Sequence, residues 1–206
     1  MSKRQNEIME YRRLFGRLLI IIGCVIIFLT VAVNVIDYRK GRNAVENFEI
    51  TKLQMQAQTS EKKDKDTSQT EVNNKLTDEV IGVLSIDKIE LEEAVKEGAA
   101  SSVISSALGH LTDTAMPGMQ GNCAIAGHRN YVFGRFFNRL DEVEVGDAIT
   151  IETLENTYEY KVYEVLTVEP TDMSVLENTE AYDLTLITCT PLFIGSHRLI
   201  IKATLQ

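Results

Sequence analysis

The chain has 206 residues, 44% of them hydrophobic, with 21 basic against 30 acidic side chains and a formal net charge of −9. That composition excludes a disordered chain, and the acidic balance argues against DNA, RNA or an anionic lipid surface as the main partner. Cys24, Cys123 and Cys189 make no even disulfide framework, so the fold does not depend on disulfides.

Residues 18–36 (Leu-Leu-Ile-Ile-Ile-Gly-Cys-Val-Ile-Ile-Phe-Leu-Thr-Val-Ala-Val-Asn-Val-Ile) carry no charge, and as a helix they span about 28 Å, enough to cross a bilayer core. Lys3, Arg4, Arg12, Arg13 and Arg17 precede the run, and Arg39, Lys40 and Arg42 follow it. The basic excess predicts that residues 1–17 are cytoplasmic and that 18–36 are an uncleaved signal anchor. A cleaved signal peptide fits less well, because the run exceeds an ordinary apolar h-region and Asn34-Val35-Ile36-Asp37 is a poor cleavage site. Gly23 and Cys24 are expected to be plain membrane residues, since a lone Gly lacks the paired small residues of a dimerisation face.

Residues 37–79 are polar and charged around Glu61-Lys-Lys-Asp-Lys-Asp-Thr-Ser-Gln-Thr70. They are expected to form a flexible extracellular linker, with a helical stretch over 45–56, that holds a folded domain away from the lipid.

Residues 80–206 suit one domain in length. Strands are expected over 80–86, 89–95, 122–126, 147–152, 157–168, 183–188 and 199–205. Small-residue helix or turn is expected over 99–108, and a short helical piece over 133–140. Gly146-Asp147 and Asn156-Thr157 read as turn signals. Low helix content without a βαβ rhythm predicts a mainly β fold, an antiparallel-rich closed or nearly closed barrel.

Two stretches carry chemistry. Residues 183–203 read as two strands joined by a loop, and Pro191, with no N–H for a ladder, stops the first close to Cys189. A thiol at a strand end with Arg198 on the returning strand suits a nucleophile with a charge partner; a merely buried cysteine fits equally well. The second stretch, Gly121-Asn-Cys-Ala-Ile-Ala-Gly-His-Arg-Asn130, reads as a strand ending in Gly127-His128. Period-two alternation puts Cys123 with Ile125 on one face and Ala124, Ala126 and His128 on the other, so Cys123 is expected to pack rather than meet His128. His128 alone would more often be a structural hydrogen-bonder.

The three residues together form a proposal. A thiolate is a strong nucleophile, but an ordinary thiol is little ionised near neutrality. A neighbouring imidazole gives or takes the proton. A fixed guanidinium stabilises a developing oxyanion without exchanging protons.

Thr185-Leu-Ile-Thr-Cys-Thr190 with Arg198 on the next strand resembles the sortase signature, and Ala126-Gly-His-Arg129 resembles the histidine motif of that family. The resemblance covers residues 80–206 and implies an eight-stranded barrel behind one transmembrane helix. It implies a membrane-anchored cysteine transpeptidase on the outer face of a Gram-positive bacterium. Its substrates would be surface proteins bearing a Leu-Pro-x-Thr-Gly-like signal, cleaved between Thr and Gly. The acyl group would pass to a peptidoglycan-precursor or other amine. Catalysis would rest on His128, Cys189 and Arg198. Arg129, Arg135 and Arg139 read as loop or surface charges, His197 as a structural or rim residue, and His110 has no supporting context.

Within the family, Thr188-Cys-Thr-Pro191 and His197-Arg198 resemble classes C and D. The pilus-building class C usually carries an Asp-Pro-aromatic lid and often a second membrane span. Here the prolines are Pro117, Pro170 and Pro191, and the sequence ends at Gln206 after the last strand. Class D is therefore expected, with class C as the alternative. No cofactor is expected: Glu169, Asp172, Glu177 and Glu180 could in principle attract calcium, but their spacing matches no calcium loop, and strand alternation separates the ligands of a Cys123–Cys189–His128 metal site. A membrane-tethered cysteine protease and a binding domain with an inert thiol are the other readings. Hydrolysis and aminolysis differ only in what resolves the acyl enzyme.

Overall fold

The computed structural model describes residues 2–61, 80–129 and 136–206. They divide into two compact units, Met1–Lys40 and Gly41–Gln206. A long helix, α1, covers Ser2–Glu61. In the first unit it contains Phe15–Val33, of mean hydropathy 2.6 and unburied, long and apolar enough to cross a membrane.

The second unit holds eight strands: β1 (Val80–Ile86), β2 (Leu91–Glu97), β3 (Leu108–His110), β4 (Gly121–Ala126), β5 (Ala148–Glu152), β6 (Thr157–Val168), β7 (Tyr182–Thr190) and β8 (His197–Leu205). They close into a barrel in the order β1-β2-β3-β4-β7-β8-β6-β5. This is the mainly β, eight-stranded barrel that the sequence predicts. Pairing is antiparallel except at β2–β3 and β4–β7, which are parallel. Strand β3 falls where only helix or turn is expected; helix α2 (Ser101–Ile104) fills part of that stretch. Of the helical piece expected over 133–140, residues 133–135 lie outside the described residues, 136–139 form turns, and a 3-10 turn covers Leu140–Glu142.

The core follows from alternation. Cys123 and Ile125 of β4, Leu184 and Leu186 of β7, and Ile201 and Ala203 of β8 point inward beside Leu84, Ile86, Ile149, Ile151 and Tyr160, all buried. Phe137 caps this interior beneath Gly127, where an added Cβ would lie 2.6 Å from the Phe137 ring. Only glycine fits there.

The expected linker needs correction over 41–57. There α1 is part of the barrel unit: Val45 and Phe48 pack with Val83 of β1 and Ala94 of β2 in a second buried cluster, flanked by Ala44, Val80 and Leu154. Lys52 pairs with Glu152, and Arg42 with Glu92. The i, i+3 spacing of Val45 and Phe48 gives an otherwise polar helix one apolar stripe, which the strand surface covers. Residues 62–79, the remainder of the expected linker, lie outside the described residues.

Two consequences are measurable. Phe48→Ala removes the largest side chain of the second cluster and should cost about 3 kcal/mol. Thermal unfolding of the full chain in detergent micelles should show this as a midpoint about 5–10 °C lower. Inside the barrel, burial and the Glu97 charge push the Cys123 thiol up to about 12, and burial pushes Tyr160 up to about 12 despite a hydrogen bond from Gly118 N–H. Both groups bind protons more tightly folded than unfolded, so their contribution is intact below their unfolded pKa values. It is lost as pH climbs from near 9 toward 12. Urea unfolding should therefore show less stability at pH 11 than at pH 8, with a smaller loss in Cys123→Val.

Candidate active site

The site is built where β4, β7 and β8 meet at one end of the barrel. Strand β7 runs through Cys189 and stops at Thr190, because Pro191 cannot donate to a ladder. In the antiparallel β7–β8 pair Cys189 lies directly opposite Arg198, and opposed residues point to the same face. The parallel β4–β7 ladder pairs Ala124 with Thr185 and Ala126 with Ile187. Continued two residues past the last pair, that register line reaches His128 on one side and Cys189 on the other. The ladder's last ties are Gly127 N–H to Ile187 O at 3.0 Å and Thr188 Oγ1 to Gly127 O at 2.8 Å. All three residues expected at the site thus gather at this end of the barrel: His128 exposed, Cys189 and Arg198 half-buried. Neither the thiol nor the imidazole makes a hydrogen bond among the described residues.

The β7–β8 loop folds over the thiol. Gly195 and Ile194 donate their N–H groups to Pro191 O, and Gly195 has φ +63° with its Cα so near that an added Cβ would lie 4.0 Å from Cys189 Sγ. The positive φ is what favours glycine at this position. An open pocket of about 170 Å³ remains, lined by Arg129, Cys189 and loop residues 191–195. Phe193 and Ile194 form its rim, 76% and 73% exposed. Arg198 Nη1 donates to the carbonyls of Gly195 (3.2 Å) and His197 (3.0 Å). Its Nε and Nη2 donors make no hydrogen bond among the described residues.

The other expected positions divide. Cys123 is in the core, on the face opposite Ala124 and Ala126. His197 is paired with Glu169 (3.2 Å) and Ser196 (2.9 Å) at the rim. His110 is 1% exposed, held between Glu97 and the Ala115 carbonyl at 3.0 Å each. Arg139 forms a two-pronged pair with Glu142; this bond holds the Glu142 carboxyl below the usual range. Arg135 lies outside the described residues. Arg129, expected as a loop or surface charge, lies in the loop after β4, with its side chain 6% exposed and lining the thiol pocket. Among the described residues no group of three or more His, Cys, Asp or Glu is placed to hold a metal ion.

A thiol, an imidazole and a guanidinium at one end of a closed barrel are the groups that a cysteine acyl-transfer site needs. Family comparison agrees with this class: the Sortase domain model matches residues 84–206. The chain belongs to the sortase family, whose members are cysteine transpeptidases. It is 28% identical to Sortase A of Listeria monocytogenes over 84% of this chain and 81% of that one. Among solved structures it resembles a Clostridium perfringens Sortase D5 transpeptidase (TM-score 0.64, 31% identity, 81% of this chain and 98% of the other). It also resembles sortase C1 of Streptococcus agalactiae (TM-score 0.60, 29% identity, 67% and 77%).

The two barrel cysteines should respond oppositely to alkylation. Iodoacetamide at neutral pH should modify Cys189 in the native full chain and spare Cys123, whose thiol is buried and unionised. Peptide mapping should find Cys123 modified only after denaturation.

Proposed function

We propose that this chain is an anchoring sortase that cleaves a Leu-Pro-x-Thr-Gly-like sorting signal between Thr and Gly and transfers the Thr acyl group to an amine. The observation that supports the proposal is the register of β4, β7 and β8: Arg198 is paired with Cys189, and the β4–β7 ladder ends at Ala126 and Ile187, each two residues short of His128 and Cys189. Cys189 Sγ attacks the Thr carbonyl, and the oxyanion of the tetrahedral intermediate lies within reach of the uncommitted Arg198 donors. His128 protonates the Gly amine as the C–N bond breaks, leaving a thioacyl enzyme. An incoming amine attacks that carbonyl and gives its proton to His128, and collapse expels the Cys189 thiolate.

The outer faces of β4 and β7 support an extended peptide as the substrate. Ala126 and Ile187, paired across the two strands and half-buried, lie on the outward face just before His128 and Cys189. The segment after β6 is pinned down: Asn122 Nδ2 donates to the carbonyls of Val175 (3.0 Å) and Glu177 (3.2 Å). The apolar helical stretch Phe15–Val33 supports a single-pass anchor. We place the N-terminus inside and the barrel outside, from the basic residues before the span. The acceptor is a cell-wall amine, and similarity to the class D structure over 98% of that chain favours anchoring over pilin polymerisation.

The test is mass spectrometry of the full chain in detergent micelles with Leu-Pro-x-Thr-Gly peptides. Wild type should gain the mass of the peptide minus its Gly end, and Cys189→Ala should gain nothing. Added amines should discharge the adduct faster than water. Adduct formation on Cys189→Ala, or readily alkylated Cys189 that accepts no peptide, would refute the assignment. Arg198→Ala should still alkylate but acylate about 10²- to 10³-fold more slowly, the usual effect of losing an oxyanion donor. An unchanged acylation rate would remove Arg198 from that role.

A further inference from the structure

The imidazole of His128 presents a positioning problem. It is exposed and no carboxylate or carbonyl orients its ring among the described residues. The β4–β7 ladder ends one residue before it, at Gly127. Past that point, among the described residues, the backbone of His128 is held by one bond from Phe137 N–H to its carbonyl, at 3.1 Å.

The next side chain closes the gap. Arg129 turns back across the end of β7, and Nη1 donates to Thr190 Oγ1 at 3.0 Å. Nη2 pairs with Asp141 Oδ1 at 2.7 Å, and Nε donates to Asn138 O at 3.4 Å. Arg129 follows His128, and Thr190 follows Cys189. One guanidinium, 6% exposed, therefore joins the residue after the imidazole to the residue after the thiol. Its planar fork meets three partners from three directions, which a lysine ammonium on a flexible stem cannot reproduce. The Asp141 side chain is 52% exposed, so the ion pair is solvent-screened and adds little stability; the value of the fork is geometric.

We propose that Arg129 is a positioning residue that clamps the His128-bearing segment onto the Cys189-bearing strand end, so that imidazole and thiol stay within proton-transfer reach. The inference rests on the roles proposed above for His128 and Cys189. Although Arg129 lines the pocket, each of its three nitrogens already has a protein partner, so it acts through His128 rather than on the peptide.

The test compares wild type, Arg129→Gln, Arg129→Lys and Thr190→Val as full chains in detergent micelles. One readout is steady-state kinetics with a Leu-Pro-x-Thr-Gly peptide. The other is the NMR titration of the His128 ring with Cys189 free or capped by methyl methanethiosulfonate. In wild type, capping should move the His128 midpoint. In Arg129→Gln, kcat should fall on the order of 10²-fold with KM nearly unchanged, as expected for misplacement of about 1 Å, and capping should no longer move the midpoint. Arg129→Lys should recover part of both. Thr190→Val should lose about tenfold, and the double variant should be no worse than Arg129→Gln alone, because the two residues share one interaction.

A folded Arg129→Gln protein with wild-type kcat and an intact capping shift would overturn the clamp. So would a raised KM at unchanged kcat, which would mark a substrate contact. If Arg129→Gln does not fold, Thr190→Val decides: wild-type kcat with an intact capping shift would be fatal. The two proposals fail separately. If wild type forms no thioacyl adduct yet shows a capping shift that Arg129→Gln loses, the sorting-signal assignment falls and the clamp stands.

Discussion

The parallel pairing of β4 with β7 is the constraint on which the rest of the site depends. Antiparallel neighbours bring the end of one strand beside the start of the next. A parallel pair brings two C-terminal ends together and needs a long crossover to do so. Here the crossover carries β5 and β6 and leaves the ends of β4 and β7 side by side, one leading to His128 and the other to Cys189. Register decides everything at that junction, since a slip of one residue would turn the imidazole to the opposite face. It is fixed from the far end. Thr185 Oγ1 donates to Asn122 Oδ1 at 2.7 Å, and Asn178 Oδ1 accepts from Asn122 N–H at 3.2 Å.

The barrel also shows how one fold keeps two cysteines chemically apart. Cys123 and Cys189 sit on adjacent strands, but Cys123 alternates into the core, where desolvation holds its thiol protonated. Cys189 lies on the outward face beside an open pocket. The difference comes from strand parity.

Much of this was legible in the sequence where the signal is local. The bounds of β1 and β6 read directly from branched and aromatic runs, and the thiol strand was placed by the proline that ends it. Strand β3 was not legible: Leu108-Gly-His110 is too short to alternate, contains a glycine, and is a strand only because β2 and β4 flank it. Polar ends hid the full reach of β7 and β8, whose last pair is Thr190 with His197. The docked part of α1 carried a readable stripe at Ala44, Val45 and Phe48, submerged in a charged composition. Arg129 had no local signal at all. Nothing near it in sequence says that its guanidinium is buried, because Thr190, 61 residues away, is one of the partners that bury it.

That separation has a consequence for the life of the chain. Pairing β4 with β7 is a non-local event, slow relative to hairpin closure and dependent on the strands between them. Until it occurs, the proposed nucleophile and its proton carrier are strangers on an open polymer, and the thiol is an ordinary one. Completion of the barrel is therefore the step that brings the proposed nucleophile and its proton carrier together.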